Sequence, residues 1–100
     1  MPIATATTWG AIFIARTGTA YAADAQTIED TGFTILDAVP RAGETTVYAY
    51  GLEAAVMTWT NDFVTKFEIR GLFIRYPIGE EINTARLKIA WANARGQLAF

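Results

Sequence analysis

The chain has 100 residues, of which 52% are hydrophobic and 18% charged, and its net charge is −2. It contains no histidine, cysteine or serine, the side chains that carry most nucleophilic and proton-transfer chemistry near neutral pH, which argues against an enzyme. No apolar run approaches the roughly 18 residues of a membrane-spanning helix, and no signal-peptide pattern precedes the first strand. We therefore expect a non-enzymatic protein made in the cytoplasm, without metal or cofactor, whose surplus apolar surface contacts other chains.

Strand patterns dominate the N-terminal sixty residues. Residues 7–16 are β-branched or aromatic on both parities, which predicts a strand covered on both faces. Residues 19–30 fit a short helix and an ordered loop equally well. The further predictions in this half are strands over 33–39 (closed by Pro40), 45–50 and 52–60, and a hairpin turn at Asn61-Asp62.

The C-terminal forty residues begin with the clearest alternation in the chain. Residues 63–69 place apolar and charged side chains on opposite faces, which predicts a half-buried strand. The alternation changes phase after Gly71, so we predict a β-bulge or a sharp bend there. Residues 80–95 have well-placed helix ends but no single apolar stripe, and the pattern favours a strand over a helix.

These elements predict an all-β, β-rich fold over residues 1–100. We expect a small single-domain antiparallel β-sandwich or barrel, and we allow one short helix, at about 20–30 or 80–95.

Charge is distributed unevenly along the chain. Residues 1–62 hold seven acids and two bases, whereas residues 63–100 hold three acids and six bases. If the two halves also separate in space, the acidic side of one copy can meet the basic side of its neighbour in a head-to-tail ring or stack. Ordinary solvation of strand faces is the alternative explanation.

Few residues suggest chemistry. The acidic pairs Glu29-Asp30 and Glu80-Glu81 have residue types that can bind Ca²⁺ or act as acid and base, but solvated turns or helix starts explain them better. The scattered glycines match neither a Walker A spacing nor GxGxxG. Nucleic-acid binding, which we consider unlikely, would use a basic surface with interleaved aromatics: Arg70, Arg75, Arg86 and Lys88 with Phe67, Phe73, Tyr76 and Trp91.

Aromatic residues are the main candidates for contact with other chains, because they are enriched at binding hot spots. Tyr48 and Tyr50 share a strand face, and both point outward if Val47 faces the core. The full set of candidate interface residues is Trp9, Tyr48, Tyr50, Trp59, Tyr76, Arg70, Arg75, Arg86, Lys88 and Phe100.

The sequence as a whole favours a structural subunit of a symmetric assembly, with the chain itself or other structural proteins of the same particle as partners. Our specific hypothesis is a bacteriophage virion protein, either a capsid-decorating (cement) protein or a tail or connector component. The alternatives are a single-stranded nucleic-acid-binding β-barrel, which predicts salt-sensitive binding, and a small monomeric adaptor or inhibitor with one apolar patch.

Overall fold

The computed structural model describes residues 2–61 and 69–94, which form a four-stranded sheet and three helices. In chain order these elements are β1 (Thr8–Ala15), α1 (Ala20–Thr31), β2 (Thr34–Arg41), β3 (Glu44–Leu52), α2 (Glu53–Asn61), β4 (Arg70–Arg75) and α3 (Thr84–Ala94). The strand order is β2-β3-β1-β4, with every neighbouring pair antiparallel. The first six elements thus follow the β-α-β-β-α-β order of the ferredoxin-like, or split βαβ, arrangement. The prediction of a small fold with an antiparallel sheet is confirmed. The expectation of an all-β sandwich or barrel is wrong, because helices cover both faces of the sheet and the fold is mixed α/β.

Strand β1 lies in the middle of the sheet, and the prediction of a strand covered on both faces is confirmed. Its odd-numbered residues, such as Phe13, pack against α1 and α2 on what we call the α1–α2 face. Its even-numbered residues Gly10 and Ile12 face α3 on the opposite side, the α3 face. A strand with two buried faces needs apolar residues at both parities, and this requirement explains the unbroken apolar stretch in the sequence.

Aromatic rings form the centre of the α1–α2 face. The ring centroid of Phe13 lies 4.7 Å from Trp59, 5.1 Å from Phe33 and 5.6 Å from Phe73. These tilted and edge-to-face contacts are favoured by the quadrupoles of the rings. The cluster holds α2 against the sheet through Trp59.

The α3 face is built around a glycine. A Cβ atom at Gly10 would lie 2.4 Å from Leu87 Cδ1 and 3.3 Å from both Ile74 and Tyr76. Because only glycine leaves this space, Leu87 of α3 packs directly onto the backbone of β1 and is fully buried. Gly10 therefore fixes where α3 crosses the sheet.

We expect Gly10→Ala to destabilise the protein by about 2 kcal/mol through overpacking, and Leu87→Ala by about 3 kcal/mol through a cavity. The double variant should lose at least about 1 kcal/mol less than the two single losses together, because the added methyl fills the space that Leu87 vacates. Urea unfolding of the four proteins measures this coupling. Additive losses would contradict the packing of α3 on Gly10.

Two segments for which a strand was favoured are helices. In α2, the buried residues Ala55, Val56 and Trp59 have helical spacing, whereas Met57 and Thr58 between them are exposed. The strand prediction over 52–60 was wrong because alanines and threonines fit both periods. The preference for a strand over 80–95 was wrong for a similar reason. Here the face toward the sheet is formed by Leu87, Ala90 and Trp91.

Residues 19–30, whose sequence fits a helix and an ordered loop equally well, fall almost entirely within helix α1. α1 ends at Gly32, whose φ of 118° is in the left-handed region and whose N–H donates to the carbonyl of Glu29 (3.0 Å). The Thr31-Gly32 stop signal thus acts as a helix C-terminus. Both positions named for a single short helix, about 20–30 and 80–95, are helical.

The strand predictions at 33–39 and 45–50 are confirmed as β2 and β3, with two corrections. The predicted end of the first strand at Pro40 is wrong, because β2 continues to Arg41 and Pro40 pairs with Thr45. The second correction concerns the phase of β2. The β2–β3 register shifts between Ile35 and Asp37, so Val39 packs on the α3 face although Ile35 packs on the α1–α2 face. The prediction of a bulge or sharp bend at Gly71 is wrong, because β4 pairs with β1 without a register shift from Arg70 to Arg75.

Gly71 is instead required for packing, since a Cβ there would lie 2.8 Å from the ring of Phe73. Most of the strand predicted over 63–69, and Asp62 of the predicted hairpin turn, lie outside the described residues; Asn61 is the last residue of α2.

Candidate protein–protein contact surfaces

Two of the aromatic interface candidates lie in the core. Trp59 is 4% exposed in the cluster around Phe13, and Tyr76 is 3% exposed on the α3 face. The Tyr76 hydroxyl donates a hydrogen bond to the carbonyl of Glu81 (2.8 Å), and burial raises the pKa of this phenol. Neither ring is accessible in this fold. Phe100 lies outside the described residues.

The two tyrosines of β3 lie opposite Val47 as predicted, but their face is not open. Helix α3 covers it, so Tyr48 is 8% exposed and Tyr50 is half-buried. The Lys88 ammonium lies 4.9 Å from the centroid of the Tyr48 ring, a cation–π distance. The prediction that both tyrosines point outward into solvent is therefore wrong, because the sequence reading did not place a helix on this face.

Arg75 joins three segments at the end of β4. Its guanidinium lies 4.8 Å from the Trp9 ring centroid, and donates to a carboxylate oxygen of Glu53 (3.1 Å) and to the carbonyl of Ala6 (3.1 Å). The half-buried Trp9 is thus covered by Arg75, and its buried indole N–H has no acceptor among the described residues. Trp9 and Arg75, both candidate interface residues, therefore contact each other within one copy of the chain.

Exposed bases lie on β4 and on α3, and we call Arg70 and Arg75 of edge strand β4 the basic edge. Arg86 and Lys88 of α3 are exposed as well, but Lys88 lies over Tyr48 of β3 and does not belong to this edge. Arg86 lies 3.5 Å from a carboxylate oxygen of Glu80. The described residues 69–93 carry four bases and two acids, so this part of the fold has excess positive charge.

The opposite side of the sheet is acidic. Glu29 and Asp30 lie on α1 and Asp37 on β2, and all three are exposed; we call this surface the acidic edge. The pKa of Tyr21 is raised by burial and by the charges of Glu29 and Asp37, which shows that carboxylates of two elements act on one region. Residues 16–44 carry five acids and two bases.

The most buried carboxylate has a structural role at the N-terminal end of α1. Asp24 is 2% exposed, and accepts hydrogen bonds from the backbone N–H of Arg16 (2.8 Å) and from its guanidinium (2.6 Å at Nη2). Burial by itself raises the pKa of Asp24, but the side-chain and backbone hydrogen bonds and the charge of Arg16 outweigh it and hold this pKa below its ordinary value. The pair joins the end of β1 to α1.

The two acidic pairs do not form sites. Asp30 accepts a hydrogen bond from Gln26 (2.7 Å), Glu80 pairs with Arg86, and Glu81 accepts from Asn83 (2.7 Å). Within residues 2–61 and 69–94 no group of three or more acidic, histidine or cysteine side chains converges as a metal site would require. No helix among these residues is long and apolar enough to cross a membrane.

The structure also exposes apolar side chains that the sequence did not indicate as contact residues. The large apolar residues that the described part of the chain exposes are Ile3, Leu52, Met57, Ile78 and Ile89. The only signal for them was the turn sequence Pro77-Ile78-Gly79, in which the flanking residues set the turn and the isoleucine has no local structural need.

No family model, curated protein or solved structure matches this chain.

Proposed function

We propose that this chain is a non-enzymatic structural subunit that assembles with copies of itself. The observation that supports the proposal is the placement of acidic and basic side chains at opposite edges of the sheet. The acidic edge lies on α1 and edge strand β2, and the basic edge on edge strand β4. At about 4.8 Å per strand spacing, the backbones of β2 and β4 are about 14 Å apart.

Opposite charges on opposite edges favour a heterologous contact. The acidic edge of one copy faces the basic edge of the next, and repetition gives a ring when the rotation closes. Complementary charge of this kind sets orientation and register and speeds association more than it adds affinity. The contact would therefore weaken as salt rises.

The particle we put forward is the virion of a bacteriophage, in which such a subunit would decorate the capsid or belong to the tail or connector. This narrower proposal is supported by composition: an apolar, cysteine-free chain without the usual catalytic side chains. We do not extend the proposal to single-stranded nucleic acid, because base stacking needs open ring faces and two of the candidate rings, Phe73 and Tyr76, are buried.

Charge reversal tests the edge-to-edge contact. One variant carries Glu29→Lys and Asp37→Lys on the acidic edge, and the other carries Arg70→Glu and Arg75→Glu on the basic edge. Each variant alone has like charges on both edges, so we expect its mass at low salt to fall to that of the wild type at high salt. An equimolar mixture should recover the larger mass, because the reversed edges complement each other. Light scattering after size exclusion measures all three samples.

The control adds positive charge away from both edges, with Thr58→Lys and Asn61→Lys on the exposed side of α2. This variant should assemble as the wild type does at low salt. The edge-to-edge contact would be contradicted if a charge-reversed variant assembled like the wild type at low salt. It would also be contradicted if the mixture of the two variants did not recover the larger mass.

A further inference from the structure

Three of the exposed isoleucines lie on adjoining segments. Ile78 is 72% exposed, Ile89 56% and Ile3 53%. The turn that carries Ile78 is tied to the segment that carries Ile3, because the N–H of Gly79 donates to the carbonyl of Ala4 (2.8 Å). We call Ile3, Ile78 and Ile89 the isoleucine surface. An apolar surface of this kind marks a contact site more often than it serves the isolated fold.

A small cavity lies between α3 and the turn that carries Ile78, and Pro77 and Glu80 of that turn line it. Its volume is about 90 Å³, and its apolar wall is formed by Pro77, Ile89, Ala90 and Tyr76. A cavity of about 150 Å³ accepts a benzene ring, so this one matches a smaller group, on the scale of one aliphatic side chain. A projecting isoleucine and a cavity for an aliphatic side chain therefore occur side by side.

The projection of Ile78 follows from its turn. Gly79 has a φ of 86°, which favours glycine, and Pro77 fixes its own backbone angle. Between these two residues the side chain at position 78 is directed into solvent. The turn itself would form as well with a polar residue there, so packing within the monomer does not account for the isoleucine.

The rim of the cavity carries one acid and one base. Glu80 and Arg86 approach to 3.5 Å, and their side chains are 46% and 55% exposed. Around a two-fold axis, Glu80 of one copy can face Arg86 of the other, and the reverse holds at the same time. Such a rim complements itself, which is what an isologous contact requires.

We propose that two copies pair through the isoleucine surface, with Ile78 of each copy seated in the cavity beside Ile89 of the other. The partner is a second copy of this chain, and in that respect the inference rests on the proposed function. The contact is separate from the acidic and basic edges. It is apolar at its centre, so it persists at salt concentrations that screen the edges.

Substitution at high salt tests the pairing. We expect wild-type protein to be a dimer in 1 M sodium chloride by sedimentation velocity, and Ile78→Ser and Ile89→Ser each to raise the dimer dissociation constant at least tenfold. The matched controls are Leu52→Ser and Met57→Ser, whose original side chains are 56% and 58% exposed outside the surface. These controls should dimerise as the wild type does. Equal weakening by all four variants would overturn the proposal.

Cross-linking tests the predicted neighbours directly, because the chain has no cysteine of its own. Ile78→Cys protein, mixed with Ile89→Cys protein under oxidation, should give a covalent dimer that joins the two variants. A mixture of Ile78→Cys with Leu52→Cys serves as the control and should give no such species. Absence of the first product, or equal yields from both mixtures, would overturn the pairing.

The outcomes separate this inference from the proposed function. A wild-type chain that is monomeric at every salt concentration contradicts both. A chain that assembles at low salt, and becomes monomeric at high salt, retains the edge-to-edge contact and overturns pairing through the isoleucine surface.

Discussion

Replacing Asp24 with alanine is expected to lower the free energy of unfolding by about 3 kcal/mol. The side chain is almost fully buried, and its oxygens accept hydrogen bonds from the backbone and guanidinium of Arg16. The variant removes the hydrogen bonds that the Asp24 carboxylate accepts, and it opens a cavity between β1 and α1. Urea unfolding followed by circular dichroism measures the loss.

Asp30→Asn is the matched control, because Asp30 is exposed on the same helix; its cost should stay within about 0.5 kcal/mol. The loss at Asp24 should also depend on pH. The pKa of Asp24 is lowered in the folded protein, so its stabilisation is complete above the unfolded value of about 3.9 and disappears as pH falls through the folded value. The difference in stability between wild type and Asp24→Asn should thus shrink below about pH 4. A difference independent of pH would contradict the ionised pair.

Replacing Phe13 with alanine should cost about 4 kcal/mol, within the range for a fully buried phenylalanine. Phe13 is the ring that contacts Phe33, Trp59 and Phe73, so its removal leaves a cavity under α2 that these rings can fill only by moving. Thermal and urea unfolding measure the change, and Trp59 makes fluorescence a direct readout.

Two further variants serve as controls for Phe13→Ala. Phe13→Leu keeps most of the volume and should cost less than half as much as the alanine variant. Met57→Ala removes an exposed side chain from α2 and should change stability by less than about 0.5 kcal/mol. A cost for Phe13→Ala of only about 1 kcal/mol would contradict the central position of this ring.

The sequence was sufficient to predict strands β1, β2 and β3, but not to predict the helices that cover the two faces of the sheet. β1 was predictable because both parities are apolar, and β3 because it alternates. α2 was missed because Ala55, Val56 and Trp59 satisfy a helical stripe only once Met57 is known to be exposed. The alternation of small residues there fits a strand as well. Period alone cannot separate the two when alanine and threonine fill most positions.

The contact surfaces could be predicted from the sequence only in part. The charge imbalance along the chain left open whether the acidic and basic halves separate in space. In the described residues Glu29, Asp30 and Asp37 lie on α1 and outer strand β2, and Arg70 and Arg75 lie on outer strand β4, although Arg41 also lies on β2. Burial of Tyr48 and Tyr76 was not predictable, since it depends on α3 crossing β1 at Gly10. The cavity lined by Ile89 was not predictable either, because it forms between α3 and the turn after β4, two segments brought together only by the fold.

The measurement that tests self-assembly most directly is the absolute mass of the purified chain, by light scattering after size exclusion, at 50 mM and at 1 M sodium chloride. We predict a species larger than a dimer at low salt and a dimer, twice the chain mass of 10.9 kDa, at high salt. A single species of 10.9 kDa at both salt concentrations, over a hundredfold range of protein concentration, would contradict the account.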